Sequence, residues 1–178
     1  KKQSQLDPHL ALIASDTPNA FATLREGKLI VGLTLSMLNR IGPDIDALAT
    51  TIGHELAHLK LNHGDTRKQR AESAKGASTV LGALLDIAGV PMGSTMANVG
   101  VDIVTTAYSR DEERDADLLG LQWATAAGYS ACGSARTMQV LEAHNRSGPI
   151  PFLSSHPGHD ERIKRASETA RAITGTGC

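Results

Sequence analysis

The chain has 178 residues, of which 40% are hydrophobic and 21% charged, and a formal net charge of −1. That balance suits a single domain, residues 1–178, with a sizeable core. Near-neutral charge and an aromatic content of 3% argue against a nucleic-acid partner, because such proteins rely on basic surfaces and aromatic stacking platforms.

From the N-terminus, Leu6, Leu10 and Ile13 recur at helical spacing and predict a helix over 5–14, broken by Asp16-Thr17-Pro18-Asn19. Two strand-like runs follow, Ala20 to Leu24 and Lys28 to Gly32, joined by Arg25-Glu26-Gly27 as a small hairpin. Residues 33–41 predict a short helix.

Thr51 to Gly64 holds the sequence His54-Glu55-Leu56-Ala57-His58. On a helix, two histidines four residues apart stack on one face and can grip one metal ion. The pattern is a zinc arrangement in which Glu55 serves as general base. Ile45, Leu48, Ala49, Ile52, Leu56 and Leu59 form an apolar stripe on the opposite side, so the core is expected behind the helix and the metal in front. Gly42-Pro43-Asp44 supplies a start, with proline at the first helical position, and Lys60, His63 and Gly64 supply a stop. His63 lies five residues beyond His58, on the stripe side of a continuous helix. It cannot meet the same metal without a break before it, which makes it a capping or packing residue and sends the search for a third ligand elsewhere.

Residues 74–107 turn apolar and are split by Gly89 to Gly93 into two predicted helices. Asp86, Pro91 and Asp102 leave no uncharged run near the ~20 residues a membrane span requires, so the expectation is a soluble helical hairpin that overhangs the metal site as a lid. Ser109 and Glu112 then have the spacing of a capping box, and Glu113, Asp117 and Gly120 share one helical face. An acidic run is ordinarily a solvated face. Here a dication held by two histidines needs an anionic third ligand, and Glu113, with a partner four residues on, is a fitting donor. Gly120 permits close approach of another helix.

A helix over 134–145 follows, with Trp123, Tyr129 and Met138 as core or boundary residues. Ser147-Gly148-Pro149-Ile150-Pro151 is a stiff loop leading to His156, which Pro157 makes extended. The last helix carries Ile163, Ala166, Ala170 and Ile173 as its stripe. Cys132 and Cys178 make no disulfide framework and no CxxC pattern; they are either one bridge in an oxidising compartment or two inert thiols. The chain opens on Lys1, which is compatible with a removed leader or anchor.

Four segments in order carry a resemblance: Asn19-Ala20-Phe21-Ala22, the His54 to His58 motif, Ser109 to Asp117, and His156-Pro157 with Arg162-Ile163. Over roughly 19–163 the chain resembles the gluzincin metalloendopeptidases of the family that includes HtpX, CAAX prenyl protease type I, BepA and LoiP. The resemblance implies an α+β, predominantly helical, zincin-like domain hydrolysing peptide or protein substrates with one zinc ion. By it, His54, His58 and Glu113 bind zinc, Asp117 orients a ligand histidine, and Asn19, Ala20, Phe21 and Ala22 form an edge strand holding an extended substrate. His156 and Arg162 face the metal, either to donate to an oxyanion or, for His156, to block the fourth coordination position. The periplasmic branch is the closer match, implying a cell-envelope location, protein quality control, and membrane association through a removed leader or anchor. Two rival readings are a catalytically silent, zinc-stabilised chaperone or scaffold and a binding module in which the motif is a chance helix face.

Overall fold

The computed structural model describes residues 6–67, 107–145 and 150–178. The helical hairpin expected over 74–107, apart from its last residue, and the Ser147 to Pro149 part of the loop before His156 lie outside the described residues. The elements are β1 (His9–Ile13), β2 (Ala20–Arg25), β3 (Lys28–Thr34), α1 (Leu35–Ile41), α2 (Ile45–Lys60), α3 (Arg110–Ala126), α4 (Cys132–Asn145), α5 (Pro151–Ser155) and α6 (His159–Thr174).

The hairpin forms as the sequence predicts, with β2 antiparallel to β3 from Ala20 opposite Leu33 to Arg25 opposite Lys28. Glu26 and Gly27 take φ of 50° and 74°, the pair of positive values that a two-residue turn needs to match the strands' twist. The segment before it departs from expectation. His9–Ile13 is a strand parallel to β3, with Leu10 opposite Val31 and Leu12 opposite Leu33, and the sheet order is β1-β3-β2. A segment this short cannot sustain a helix alone, so the backbone partners offered by β3 decide its state.

Thr34 ends β3 and caps α1, its Oγ1 accepting from the Met37 amide at 3.1 Å. Asp44 caps α2 in the same way, accepting from Ala47 at 3.1 Å, so Pro43 precedes the cap and does not open the helix. Ser109 caps α3 with both bonds of a capping box: its Oγ accepts from the Glu112 amide at 3.2 Å, and Glu112 Oε2 accepts from the Ser109 amide at 2.8 Å. A new helix therefore begins there, and no earlier one runs through it.

Helix α2 packs Leu48 and Ile52 of its apolar stripe against the core as expected, but it buries its other side more completely. Of the stripe, Leu56 is buried, Leu48, Ala49, Ile52 and Leu59 are half-buried, and Ile45 is 58% exposed. The covered side carries Ala47, Thr50, Thr51, Gly53, His54, Glu55, Ala57 and His58, because α3 and α4 pack onto its small residues. Any side chain on Gly120 of α3 would overlap the backbone of Gly53 and His54, and one on Gly133 of α4 would overlap Asp46 and Ala47. Both helices thus meet α2 backbone to backbone, and the two histidines face into the protein.

One apolar cluster joins the sheet, α1, α2, α4 and α5 through residues such as Leu33, Met37, Ile41, Leu141 and Phe152. A second joins α3, α4 and α6 through Leu121, Ala135, Ala166 and Ala170. Ile173, expected in the α6 stripe, is 49% exposed, and the described residues from Arg171 onward are all exposed. Cys132 and Cys178 are bridged, which fastens the end of the chain to α4.

Candidate metal centre

Helix α2 turns His54, Glu55 and His58 inward, α3 brings Glu113 and Asp117 opposite them, and the α5–α6 junction adds His156 and Arg162; all seven are buried. One donor atom from each of His54, His58, Glu113 and His156 lies within 4.8 Å of the others. His58 Nε2 is 3.0 Å from His54 Nε2 and 3.2 Å from Glu113 Oε1. His156 Nδ1 is 2.9 Å from Glu113 Oε1 and 3.1 Å from His54 Nε2. Imidazole nitrogens and a carboxylate oxygen converging in this way are a donor set that suits zinc.

The outer faces of these groups are also held. Asp117 Oδ1 lies 2.9 Å from His54 Nδ1. Arg162 donates to Asp117 through Nε and Nη2 at 2.8 and 2.7 Å, and its Nη1 is 2.6 Å from Glu113 Oε2. The guanidinium thus pairs with both carboxylates, and its Nη2 also lies 3.3 Å from His54 Nδ1 and 3.4 Å from His54 Nε2, beside the donor cluster.

His63 lies outside the donor group and packs on His58, but the helix does not run on continuously to it as expected. Helix α2 ends at Lys60, and Asn62 takes a left-handed φ of 56°. That turn supplies the break a continuous helix would lack. It swings His63 back until its Nδ1 lies 2.9 Å from His58 Nδ1. Tyr108 stacks on the His58 ring at 3.7 Å and 16°, and the Arg67 guanidinium sits 3.9 Å over the Tyr108 ring. Neither Tyr108 nor Arg67 stands out in the sequence. The only cue is that Tyr108 directly precedes the Ser109 cap.

Glu55 Oε1 is a buried oxygen without a hydrogen-bond partner, 3.5 Å from His156 Nε2, and burial pushes the Glu55 carboxyl above its ordinary pKa. Burial acts the same way on Glu113 and Asp117 but is outweighed. His156, Arg162 and His54 hold Glu113 well below the usual carboxylate range, and Arg162 and His54 bring Asp117 down to about 2. Burial, reinforced by His54, pushes His58 well below its normal value, which favours the neutral imidazole that ligates metals. Burial and Arg162 also act to lower His54, yet Glu113 and Asp117 raise it on balance. Three buried carboxylates, Glu55, Glu113 and Asp117, face the one Arg162 guanidinium among these seven residues. A dication matches that surplus, and the orphaned Glu55 oxygen beside the donor set fits a metal centre with a base next to it.

Residues 1–170 match peptidase family M48. The chain belongs to that family. M48 relatives include an HtpX protease homologue from Methanopyrus kandleri, 28% identical over 95% of this chain and 63% of its own length. A putative beta-barrel assembly-enhancing protease of Vibrio cholerae is 27% identical over 70% of this chain and 27% of its own length. The metalloprotease YcaL of Escherichia coli is 24% identical over 64% of this chain and 44% of its own length. The chain thus spans less than two thirds of the length of each of these three. The expected α+β, predominantly helical metallopeptidase domain stands. No helix among the described residues is long and apolar enough to cross a membrane.

The residues expected to hold substrate, Asn19 to Ala22, span the start of β2. Asn19 lies just before β2, and its backbone is engaged with Thr34, donating to Thr34 Oγ1 at 2.9 Å and accepting from the Thr34 amide at 3.0 Å. Ala20 is buried in the core, and the Phe21 ring lies over Gly32. Ala22 faces Val31 across the hairpin. Among the described residues β2 pairs with β3 on one side only, which leaves its outer edge as the strand Ala20–Arg25 with α2 beside it.

Proposed function

We propose that this M48 domain is a zinc-dependent metalloendopeptidase that hydrolyses peptide bonds in protein substrates, misfolded or envelope proteins among them, with Glu55 as the general base. The observation that carries this reading is the buried, unpartnered Glu55 oxygen beside four converging donors. His54, His58 and Glu113 would hold one zinc ion. When bound, zinc supplies Lewis acidity, lowering the pKa of water to about 7 and polarising a carbonyl.

The rest of the chemistry belongs to this chain's side chains. Glu55, raised by burial, is suited to take a proton from the attacking water and return it to the leaving amine. Asp117 accepts from His54 Nδ1 and so keeps Nε2 free to ligate, while Arg162 holds Asp117 and Glu113 in place. An extended substrate would add to the outer edge of β2 by backbone hydrogen bonds.

His156 is close enough to act as a fourth donor, which would keep water from the fourth position and leave this conformation latent. The alternative is that it moves off and donates to the oxyanion. His156→Ala raises peptide turnover under the first arrangement and lowers it by ~10²-fold under the second; unchanged turnover would discard both.

The Cys132–Cys178 bridge supports a location in an oxidising compartment such as the periplasm or cell envelope. The reading is tested by Glu55→Gln, which should keep near-full zinc content and lose hydrolysis of a reporter peptide by ~10²-fold or more. Wild-type protein that binds zinc and cleaves nothing would instead support a silent chaperone or scaffold.

A further inference from the structure

His54 and His58 meet the donor cluster through Nε2 in the same way, but their outer nitrogens meet different chemistry. His54 Nδ1 has a carboxylate, Asp117, at 2.9 Å. His58 Nδ1 has an imidazole, His63 Nδ1, also at 2.9 Å, and one face of its ring is covered by Tyr108. His63 is 7% and Tyr108 9% exposed, so neither contact is a surface accident, and the Arg67 guanidinium backs the Tyr108 ring.

We infer that His63 and Tyr108 are positioning residues for His58, forming a neutral counterpart to the Asp117–His54 pair. The inference rests on His58 being a metal ligand. With its Nε2 lone pair turned to the donor cluster, His58 carries its proton on Nδ1 and donates it to His63 Nδ1. His63 in turn carries its own proton on Nε2. The hydrogen bond fixes which His58 nitrogen is free to ligate, and the stacked phenol ring fixes the plane in which it points. Stacking and hydrogen bonding constrain different degrees of freedom, tilt of the ring and rotation about the ring normal respectively, so together they leave the imidazole a single orientation. A neutral acceptor adds less electron density to its histidine than a carboxylate does, and the two ligands should therefore differ in basicity. Outer partners of this kind are worth roughly 10–100-fold in metal affinity.

The experiment uses the full-length protein. Zn²⁺ affinity is measured by competition with a chromophoric chelator, and the visible spectrum is recorded with Co²⁺ in its place, for wild type, His58→Ala, His63→Leu, His63→Gln and Tyr108→Leu. Wild type should bind one ion, and His58→Ala should lose it. His63→Leu should bind roughly 10–100-fold more weakly with a shifted Co²⁺ band, and His63→Gln, whose amide oxygen can still accept from Nδ1, should recover most of the affinity. Tyr108→Leu should weaken binding by a smaller factor. If His63→Leu keeps wild-type affinity and spectrum, His63 does not position His58. If that variant does not fold, the spectrum of His63→Gln decides, because exchanging one acceptor for another shifts the band only when the acceptor is in use. Wild type that binds no ion, or binding indifferent to His58→Ala, would overturn the metal centre itself and this inference with it.

Discussion

Helix α2 meets charged partners at both of its ends, and water reaches the two ends very differently. At the N-terminal end Arg136 pairs with Asp44 and Asp46, all three between 28% and 40% exposed at the side chain. Those carboxylates also serve the backbone, Asp44 accepting from Ala47 and Asp46 from the Ser130 amide at 2.9 Å. At the other end Glu55, Glu113, Asp117 and Arg162 are at most 6% exposed, and two carboxylate oxygens, Glu55 Oε1 and Glu113 Oε2, have no hydrogen-bond partner. Half-exposed pairs contribute little but cost little. A buried, unbalanced set costs several kcal/mol per ion by order of magnitude. The N-terminal end is built for docking, while the C-terminal end gives up stability to hold donor atoms in register.

The largest effect should come from removing a donor at the buried end. Glu113→Ala takes away the proposed anionic ligand and, with it, the oxygen that Arg162 Nη1 meets at 2.6 Å. Zn²⁺ affinity should fall by more than ~100-fold, beyond what loss of an outer partner costs. In wild type, zinc at about 1,000 times its Kd should add ~4 kcal/mol of stability, seen as a raised unfolding midpoint, and Glu113→Ala should show almost none of it. An equal zinc-dependent shift in both proteins would remove Glu113 from the centre.

The two glycine seams sharpen the contrast. Gly120 and Gly133 both press against the α2 backbone, so Gly120→Ala and Gly133→Ala should each destabilise by about 1–3 kcal/mol through overpacking. Only Gly120→Ala moves α3, and with it Glu113 and Asp117, away from His54. It should lower zinc affinity and peptide turnover, the latter by up to ~10²-fold for a 1 Å misplacement, whereas Gly133→Ala should leave zinc affinity unchanged in the folded protein. If both variants lose zinc alike, the ends of α2 are not separable.

Much of the buried end is legible in the sequence because helical spacing is a local rule. The i, i+4 pairs His54–His58 and Glu113–Asp117 put their side chains on one face whatever surrounds them, and Gly120 marks the close seam. His63 escapes that rule because its position depends on one left-handed residue, Asn62, in a run that otherwise continues the helix. Arg162 is legible as part of the site, but its ion pair is not, because the Asp117 carboxylate lies 45 residues away in sequence. β1 fails for a related reason: its partner is β3, and tertiary pairing overrides a three-residue apolar spacing. The covered side of α2 was hidden because small residues at a glycine seam bury as well as leucines do without reading as hydrophobic.

The smallest effect lies at the exposed end and depends on pH. The hydrogen bond from Arg136, working against a little burial and helped by the Ala47 amide, lowers Asp44 from 3.8 to about 2. A carboxylate whose folded pKa is depressed stabilises the fold fully above its unfolded value and loses that contribution as pH falls through the folded value. Asp44→Ala should therefore cost about 1 kcal/mol of a lost helix cap at neutral pH, measured by urea unfolding. The gap between wild type and variant should hold steady down to pH about 4 and close between there and pH about 2. Asp44→Asn keeps a side chain able to cap α2 but drops the charge, so it isolates the Arg136 pair, which at this exposure is worth roughly 0.2–1 kcal/mol. Its deficit should shrink over the same pH window and should halve or better in high salt, because water and ions reach this pair. A deficit that survives undiminished at pH 2 would mean that the Asp44 side chain acts through packing, and the N-terminal end of α2 would then resemble the buried end more than its exposure suggests.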